Sequence, residues 1–368
     1  MPGYSPFFMQ TRYFRQSLLD WNSQENTRQM PWKGEKDPYK IWLSEVILQQ
    51  TRVEQGLAYY ERFVEAFPTV TRLADASDER IFKLWEGLGY YSRCKNLIHT
   101  ARLIAGERKG RFPDTYDDIL GLKGVGAYTA AAIASFAYGL PHAVVDGNVL
   151  RVLSRFFGID TPVDTTEGKA RLTDLAEKCL DREAPAVYNQ ALMDFGALVC
   201  KPANPACAAC PLKGRCVAFK EEKVDILPIK SKRMVRKDRH FLYLVALYRG
   251  GVYVRKRTGK DIWQQLFEFI GHELKGESDW EDYRRRLKEP WFGDLVGKGT
   301  YTVVGASPVY RQLLTHQQVK ARFIEVNLDQ PLAGGDYVWV DKKAMADLPF
   351  PRLLNDYLHA PLHAGQLF

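Results

Sequence analysis

The chain has 368 residues, more than one ordinary core organises, so two domains are expected. Its formal charge is +8 with a pI near 9.0, a balance that favours a polyanionic partner such as nucleic acid. No run of about 18 apolar residues exists, so no membrane span is expected, and Met1–Gln10 lacks the basic-then-apolar pattern of a secretory signal. The six cysteines are therefore placed in a reducing compartment, where disulfides are not expected.

Up to about residue 220 the apolar spacing is helical. It recurs at three and four residues in Leu43–Leu48, Ile81–Leu88, Leu97–Ile104, Thr129–Phe136 and Val149–Phe156. Asp37-Pro38 reads as an N-cap followed by a first-turn proline, opening a helix towards Gln50. Glu45 sits in the apolar run Ile41–Leu48, where burial would disfavour its charge and leave it a proton donor near neutral pH. A solvent-facing Glu45 is the bland alternative.

A helix Tyr116–Leu120, then Leu122-Lys123-Gly124-Val125-Gly126, then the helix from Thr129 gives helix–hairpin–helix. The N–H groups of Gly124, Val125 and Gly126, at a helix N-terminus, form an anion site suited to a DNA phosphate. An ordinary turn would carry the same glycines. Asp146 follows the apolar Ala143-Val144-Val145 and precedes the helix Val149–Phe156, so it is a candidate N-cap whose ionised form the helix favours. An acid beside a carboxylate suits cleavage of a glycosidic bond, one protonating the leaving group and one facing a cationic sugar.

Cys200, Cys207, Cys210 and Cys216 lie within seventeen residues, among Pro202, Pro205 and Pro211. Four thiolates in a stiff loop read as a metal site, and their chemistry leaves zinc and iron–sulfur both open. Cys94 and Cys179 read as packed residues. Residues 219–239 hold Lys220, Lys223, Lys230, Lys232, Arg233, Arg236, Lys237 and Arg239, an exposed basic linker. Beyond it the period becomes that of strands. Phe241–Tyr248 and Val252–Arg257 flank Gly250-Gly251 as a hairpin, with further strands at Thr300–Val304, Val319–Asn327 and Tyr337–Val340. Trp280–Leu287 and Arg352–Leu358 read as helices. An all-α region thus precedes a smaller α+β domain.

Five segments stand in a telling order: Ser44–Thr51, Gly87-Leu88-Gly89-Tyr90-Tyr91-Ser92-Arg93, Leu122–Thr129, Val145–Val149 and the four cysteines. Together they resemble the adenine DNA glycosylases of the MutY type, in the helix-hairpin-helix superfamily. The resemblance implies a multidomain chain. Residues 1–218 would be an all-α helix-hairpin-helix glycosylase domain with an iron–sulfur loop at 200–216. Residues 219–239 would be the linker, 240–360 an α+β Nudix-like (MutT-like) domain, and 361–368 a tail. It selects a 4Fe–4S cluster for the cysteines. Lyase relatives carry a lysine just after the hairpin, where this chain has Tyr128, so a monofunctional glycosylase is implied.

Carried over position by position, the target adenine is flipped out of the duplex. Glu45 protonates it at N7, Asp146 stabilises the oxocarbenium-like sugar, and Tyr128 and Asn148 support them. Arg28, Trp32, Leu48 and Gln190 match the adenine pocket, although Gln190 stands where glutamate is frequent. Gln50, Thr51 and Tyr90 match residues that wedge into the duplex beside an orphaned 8-oxoguanine. The lesion-reading Phe-Ser-His loop corresponds to Leu314-Thr315-His316, which keeps the hydroxyl and imidazole and loses the aromatic face. The glycine, arginine and paired glutamates of a Nudix hydrolase are missing, so this domain is expected to read a lesion without hydrolysing nucleotides. The implied partner is double-stranded DNA with 8-oxoguanine:adenine mispairs, met by a monomer in the bacterial cytoplasm. Gln366-Leu367-Phe368 faintly resembles a sliding-clamp-binding tail. Two alternatives stand beside this: a glycosylase for another mismatch or for oxidised pyrimidines, and a non-catalytic iron–sulfur DNA-binding protein.

Overall fold

A computed structural model of the chain describes residues 6–231, 236–276, 280 and 282–360. The chain divides into two compact units. The first comprises residues 1–74 and 99–233, the second residues 75–98 and 234–368. The segment 75–98, inside the helical half of the sequence, thus belongs with the C-terminal sheet.

The first unit is helical. Pro6–Gln24, Gly147–Phe157, Thr166–Cys179 and Pro185–Leu198 pack around Phe14, Leu18, Leu153, Phe156, Leu172, Leu192 and Phe195, all at most 1% exposed. Leu212 of the cysteine loop closes this core. Pro38–Leu48 runs beside Ala127–Tyr138, and residues 41–47 are all buried. A helix apolar on every side must be central to its unit. Its start is as expected: Asp37 accepts from the Tyr39 N–H at 2.9 Å, with Pro38 in the first turn. The helix after the hairpin begins at Ala127, two residues earlier than its apolar spacing indicated, because Gly126 serves as N-cap.

The second unit is built on a mixed sheet. Its strands are β1 (Lys237–Tyr248), β2 (Gly251–Lys256), β3 (Phe267–Glu268), β4 (Ile270–Leu274), β5 (Tyr301–Ala306), β6 (Tyr310–Leu313), β7 (Gln317–Leu328) and β8 (Val338–Asp341). β1 runs parallel to β7 from Lys237↔Gln317 to Leu247↔Asn327 and antiparallel to β4. β2 turns back on β1 at Tyr248↔Gly251 and carries β8 and β3, while β5 and β6 pair with β7.

β1 is buried on both faces, which accounts for its unbroken apolar run. Leu242, Leu244 and Ala246 join Ile324, Val326 and Phe292. Elsewhere Tyr243 stacks on Phe323 at 5.4 Å, and Phe323 on Tyr357 of the helix Arg352–Leu358 at 4.0 Å. Within this unit the 75–98 segment is held by polar ties. Lys256 pairs with Glu79 at 2.7 Å, Lys83 donates to the Leu348 carbonyl, and the Phe350 N–H donates to Glu86.

Several expectations are revised. The basic stretch 219–239 is exposed at Lys220, Lys223 and Lys230, as expected, but its described residues are anchored at several points. Val217–Lys220 is helical, Leu227 is 3% exposed, and its carbonyl accepts from the buried Arg155. Ser231 donates to Asp164, and residues 237–239 already pair in β1. Charge counting misses this because the apolar Leu227 and the backbone anchor the segment while Lys220, Lys223 and Lys230 stay exposed. Of the expected helix Trp280–Leu287, only Tyr283–Arg286 forms among the described residues. Lys232, Arg233 and Gln366-Leu367-Phe368 lie outside the described residues.

Candidate active site

Glu45 lies near the end of the helix Pro38–Leu48 and is 8% exposed. Burial pushes its carboxyl up to about 7, and the nearby Asp146 pushes the same way; a hydrogen bond from Tyr128 opposes them. At that value the group exchanges a proton near neutrality, which general-acid chemistry requires. Glu45 therefore faces inward, not to solvent.

Asp146 caps the helix Gly147–Phe157. Its Oδ1 accepts from the Val149 N–H and its Oδ2 from the Asn148 amide, both at 2.7 Å. The helix end was expected to favour the ionised form. Burial outweighs it: the Asp146 carboxyl stands above the ordinary aspartate range, with the hydrogen bonds from Val149 and Asn148 only partly offsetting that rise. Tyr128, in the first turn of Ala127–Tyr138, has its hydroxyl held protonated by burial and by the two carboxylates. It also lies 3.9 Å from Met193 Sδ.

These groups line one cavity of about 470 Å3, shared with Arg28, Trp32, Leu48, Thr51, Asn148 and Gln190. That volume accommodates a single base. Trp32 meets Tyr60 edge-to-face at 5.4 Å. Gln50 lies just past the helix with φ 58°, a left-handed backbone rare outside glycine. In the hairpin, Gly124 has φ 81°, Val125 buries its side chain, and the Val125 N–H is spent on the Leu122 carbonyl at 3.1 Å.

In the second unit, Tyr90 has φ 49° and its hydroxyl hydrogen-bonds Thr315 Oγ1. Thr315 and His316 form the turn between β6 and β7. There the His316 carbonyl accepts from the Lys237 N–H and the Leu314 N–H donates to Gln317. The structure thus brings together Tyr90 and Thr315, 225 residues apart in sequence.

The sequence reading passed over Asp194. It is fully buried, four residues after Gln190 on the helix Pro185–Leu198. Its Oδ1 accepts from Arg28 Nη1 at 2.9 Å and Gln190 Nε2 at 3.0 Å. Its Oδ2 accepts from Asn26 at 2.9 Å and Lys33 at 3.2 Å. The signal that picked out Glu45, a carboxylate inside an apolar helical run, also marks Asp194 in Ala191-Leu192-Met193-Asp194-Phe195.

Two arginines went unnoticed as well. Arg151 donates to Asn148 Oδ1 and to the Cys200 carbonyl, both at 2.8 Å, so one guanidinium links the Asp146 cap to the cysteine loop. Arg155 donates to the carbonyls of Lys201 and Pro202 and lies 3.5 Å from Cys200 Sγ.

None of the four loop cysteines is in a disulfide. Burial pushes the Cys210 thiol up to about 12, a backbone hydrogen bond from Leu212 opposes it, and the neighbouring Cys200, Cys216 and Cys207 add smaller upward pushes. Among the described residues, no three His, Cys, Asp or Glu side chains are grouped to hold a single metal ion. Four thiols on one loop anchored by Arg151 and Arg155 are a donor set that fits a zinc ion or an iron–sulfur cluster.

Residues 43–178 match the family described as HhH-GPD superfamily base excision DNA repair protein, and residues 242–360 match the NUDIX domain. The adenine DNA glycosylase of Buchnera aphidicola subsp. Schizaphis graminum (strain Sg) is 35% identical over 262 residues, covering 71% of this chain and 76% of that protein. The chain belongs to the adenine DNA glycosylase family. The mouse (Mus musculus) adenine DNA glycosylase is 42% identical over 215 residues, 56% of this chain and 42% of that one. A solved thermostable thymine-DNA glycosylase aligns with a TM-score of 0.54 and 28% identity, over 58% of this chain and 98% of its own. This glycosylase is therefore an adenine-specific DNA N-glycosylase of base excision repair, with a helix-hairpin-helix unit and a Nudix-like unit.

Proposed function

We propose that the enzyme hydrolyses the N-glycosidic bond of adenine mispaired with 8-oxoguanine or guanine, and that it does so without cutting the strand. The observation that carries this reading is the pairing of Glu45, protonatable near pH 7, with Asp146 in one base-sized cavity that Tyr128 borders. Glu45 would protonate the flipped adenine at N7, weakening the bond to the sugar. Asp146 would face the cationic sugar that results. Its Oδ1 and Oδ2 are fixed by Val149 and Asn148, so little reorganisation is needed as positive charge develops. Tyr128 offers no amine, and its hydroxyl stays protonated, so the strand-cleaving lyase step has no nucleophile.

Around this centre we assign Arg28, Trp32, Leu48 and Gln190 to the adenine. Gln50, Thr51 and Tyr90 are assigned to the gap beside the extruded base. The lesion contact falls to Thr315 and His316, and the phosphate contact to the backbone N–H groups of Gly124 and Gly126; Val125, expected to join them, has its N–H taken by the Leu122 carbonyl. Cys200, Cys207, Cys210 and Cys216 are assigned to a 4Fe–4S cluster. When bound, the cluster would supply four thiolate bonds that fix the loop on which Arg151 and Arg155 converge. A monomer acting on the bacterial chromosome in the cytoplasm completes the proposal.

The test is single-turnover excision on a duplex carrying adenine opposite 8-oxoguanine, with and without alkali, for wild type and Glu45→Gln. The expected result is an abasic product that breaks only after alkali and is lost in the variant. Breakage without alkali would refute the reading of Tyr128. No release of adenine would refute the substrate. For the cysteines, the purified protein should absorb near ~400 nm, and Cys207→Ser should lose that absorbance.

A further inference from the structure

We propose that Asp194 sets the amide orientation of Gln190, so that the cavity presents a hydrogen-bond acceptor to position 6 of the extruded base. Asp194 is then a positioning residue for base specificity. This rests on the assignment of the cavity to adenine.

A carboxylate can only accept hydrogen bonds, so the Gln190 atom 3.0 Å from Asp194 Oδ1 has to be the amide nitrogen. The carbonyl Oε1 is left at the other end of the amide, without a partner among the described residues, on a side chain that lines the cavity. An acceptor there matches the exocyclic amine of adenine, a donor. It opposes a 6-oxo purine, which would set two acceptors face to face.

Asp194 cannot readily turn away. Arg28 shares its Oδ1, Asn26 and Lys33 hold its Oδ2, and the carboxylate is fully buried. Lys33 is itself tied to the Arg28 carbonyl at 2.9 Å, so the loop carrying both cations is pinned to the helix carrying Gln190. An asparagine at 194 could instead donate to Gln190 Oε1. The amide would be free to turn over and offer its N–H2 to the base. Discrimination thus depends on a residue that lies outside the cavity lining.

The test uses the full chain in single-turnover excision of adenine and of hypoxanthine, each opposite 8-oxoguanine, for wild type, D194N, Q190M and the double variant. The quantity read is the adenine-to-hypoxanthine rate ratio relative to wild type, which cancels the differing lability of the two bases. D194N and Q190M should each lower it about tenfold, the equivalent of one hydrogen bond and one repulsion. The double variant should match Q190M, because the effect of Asp194 on this ratio is inferred to run through Gln190 and not through Arg28, its other partner lining the cavity.

Equal slowing of both bases by D194N would assign Asp194 a purely structural role and overturn the proposal. So would a further fall in the ratio when D194N is added to Q190M. Should D194N not fold, Q190M decides alone: a ratio within twofold of wild type rejects the proposal. A wild type that releases no adenine would defeat the functional reading instead.

Discussion

Glu45 in the helical unit and Glu268 in the sheet unit are both withdrawn from water, 8% and 1% exposed. Arg255 Nε meets Glu268 at 3.0 Å, Arg257 pairs with it, and Tyr243 lies within hydrogen-bonding reach. Glu45 has no cationic partner among the described residues; its neighbours are Tyr128 and a second carboxylate. A buried carboxylate gripped by guanidinium groups is a fixed part of the architecture. One left among apolar walls holds a proton it can deliver. The same side chain is thus a structural ion-pair partner in one unit and, on the proposed function, a proton donor in the other, with its partners making the difference.

The largest expected effect is on catalysis. Glu45→Gln should slow single-turnover adenine release by at least about a hundredfold, the usual contribution of a positioned acid, while circular dichroism and melting show an intact fold. Retained activity would mean that Glu45 is only a packed residue. Asp146→Asn should come next. Asparagine is as good an N-cap as aspartate, so the melting temperature should hold while excision falls steeply. A matching loss of stability would reduce Asp146 to a cap.

Glu268→Gln should do the reverse. Removing one partner of a buried charge group costs about 3–5 kcal/mol, read by urea unfolding. The pH profile of adenine release should stay as in wild type. If that profile moved, the two units would not divide the roles as described.

The pH response sharpens the contrast further. With its carboxyl raised to about 7, Glu45 is a competent acid below that pH, so excision should decline as pH rises through about 7. The folded protein holds this proton more tightly than the unfolded chain does. The associated stability is therefore fully present below about pH 4, lost as pH rises through about 7, and absent above it. Glu45→Gln should remove both effects.

The smallest effect should come from Gly158→Ala. Gly158 ends the Asp146 helix at φ 70°, and a Cβ there would stand 2.5 Å from Val217 Cγ1. About 1–2 kcal/mol of stability should be lost by left-handed strain and crowding, with the rate of adenine release little changed. A large loss of activity would show that the far end of this helix also matters to the site.

Local patterns carried much of the molecule. The helix over Pro38–Leu48, the hairpin glycines, the capping role of Asp146 and the strands at β1, β2 and β7 follow from spacing and turn chemistry within a dozen residues. β4 and β6 escaped notice. Ile270–Leu274 contains a glycine and only one strong β-former, Ile270, and Tyr310–Leu313 is four residues long. Both become strands because β1 and β7 offer them backbone partners. The basic stretch misled for a similar reason, since Leu227 finds a core only after folding.

The sequence by itself marked candidates for the chemistry, two carboxylates in apolar or capping settings and four clustered thiols, while Tyr128 was singled out by the family resemblance. Only the tertiary structure decided that Glu45 and Asp146 share a cavity across a hundred residues, and that burial lifts both carboxyls despite the helix end beside Asp146. It also decided that Asp194 reaches back to Arg28 and Lys33, and that residues 75–98 join the sheet unit. Caps and periods are set by neighbours along the chain. Desolvation and charge pairing depend on whatever lies across the gap, which sequence distance does not encode.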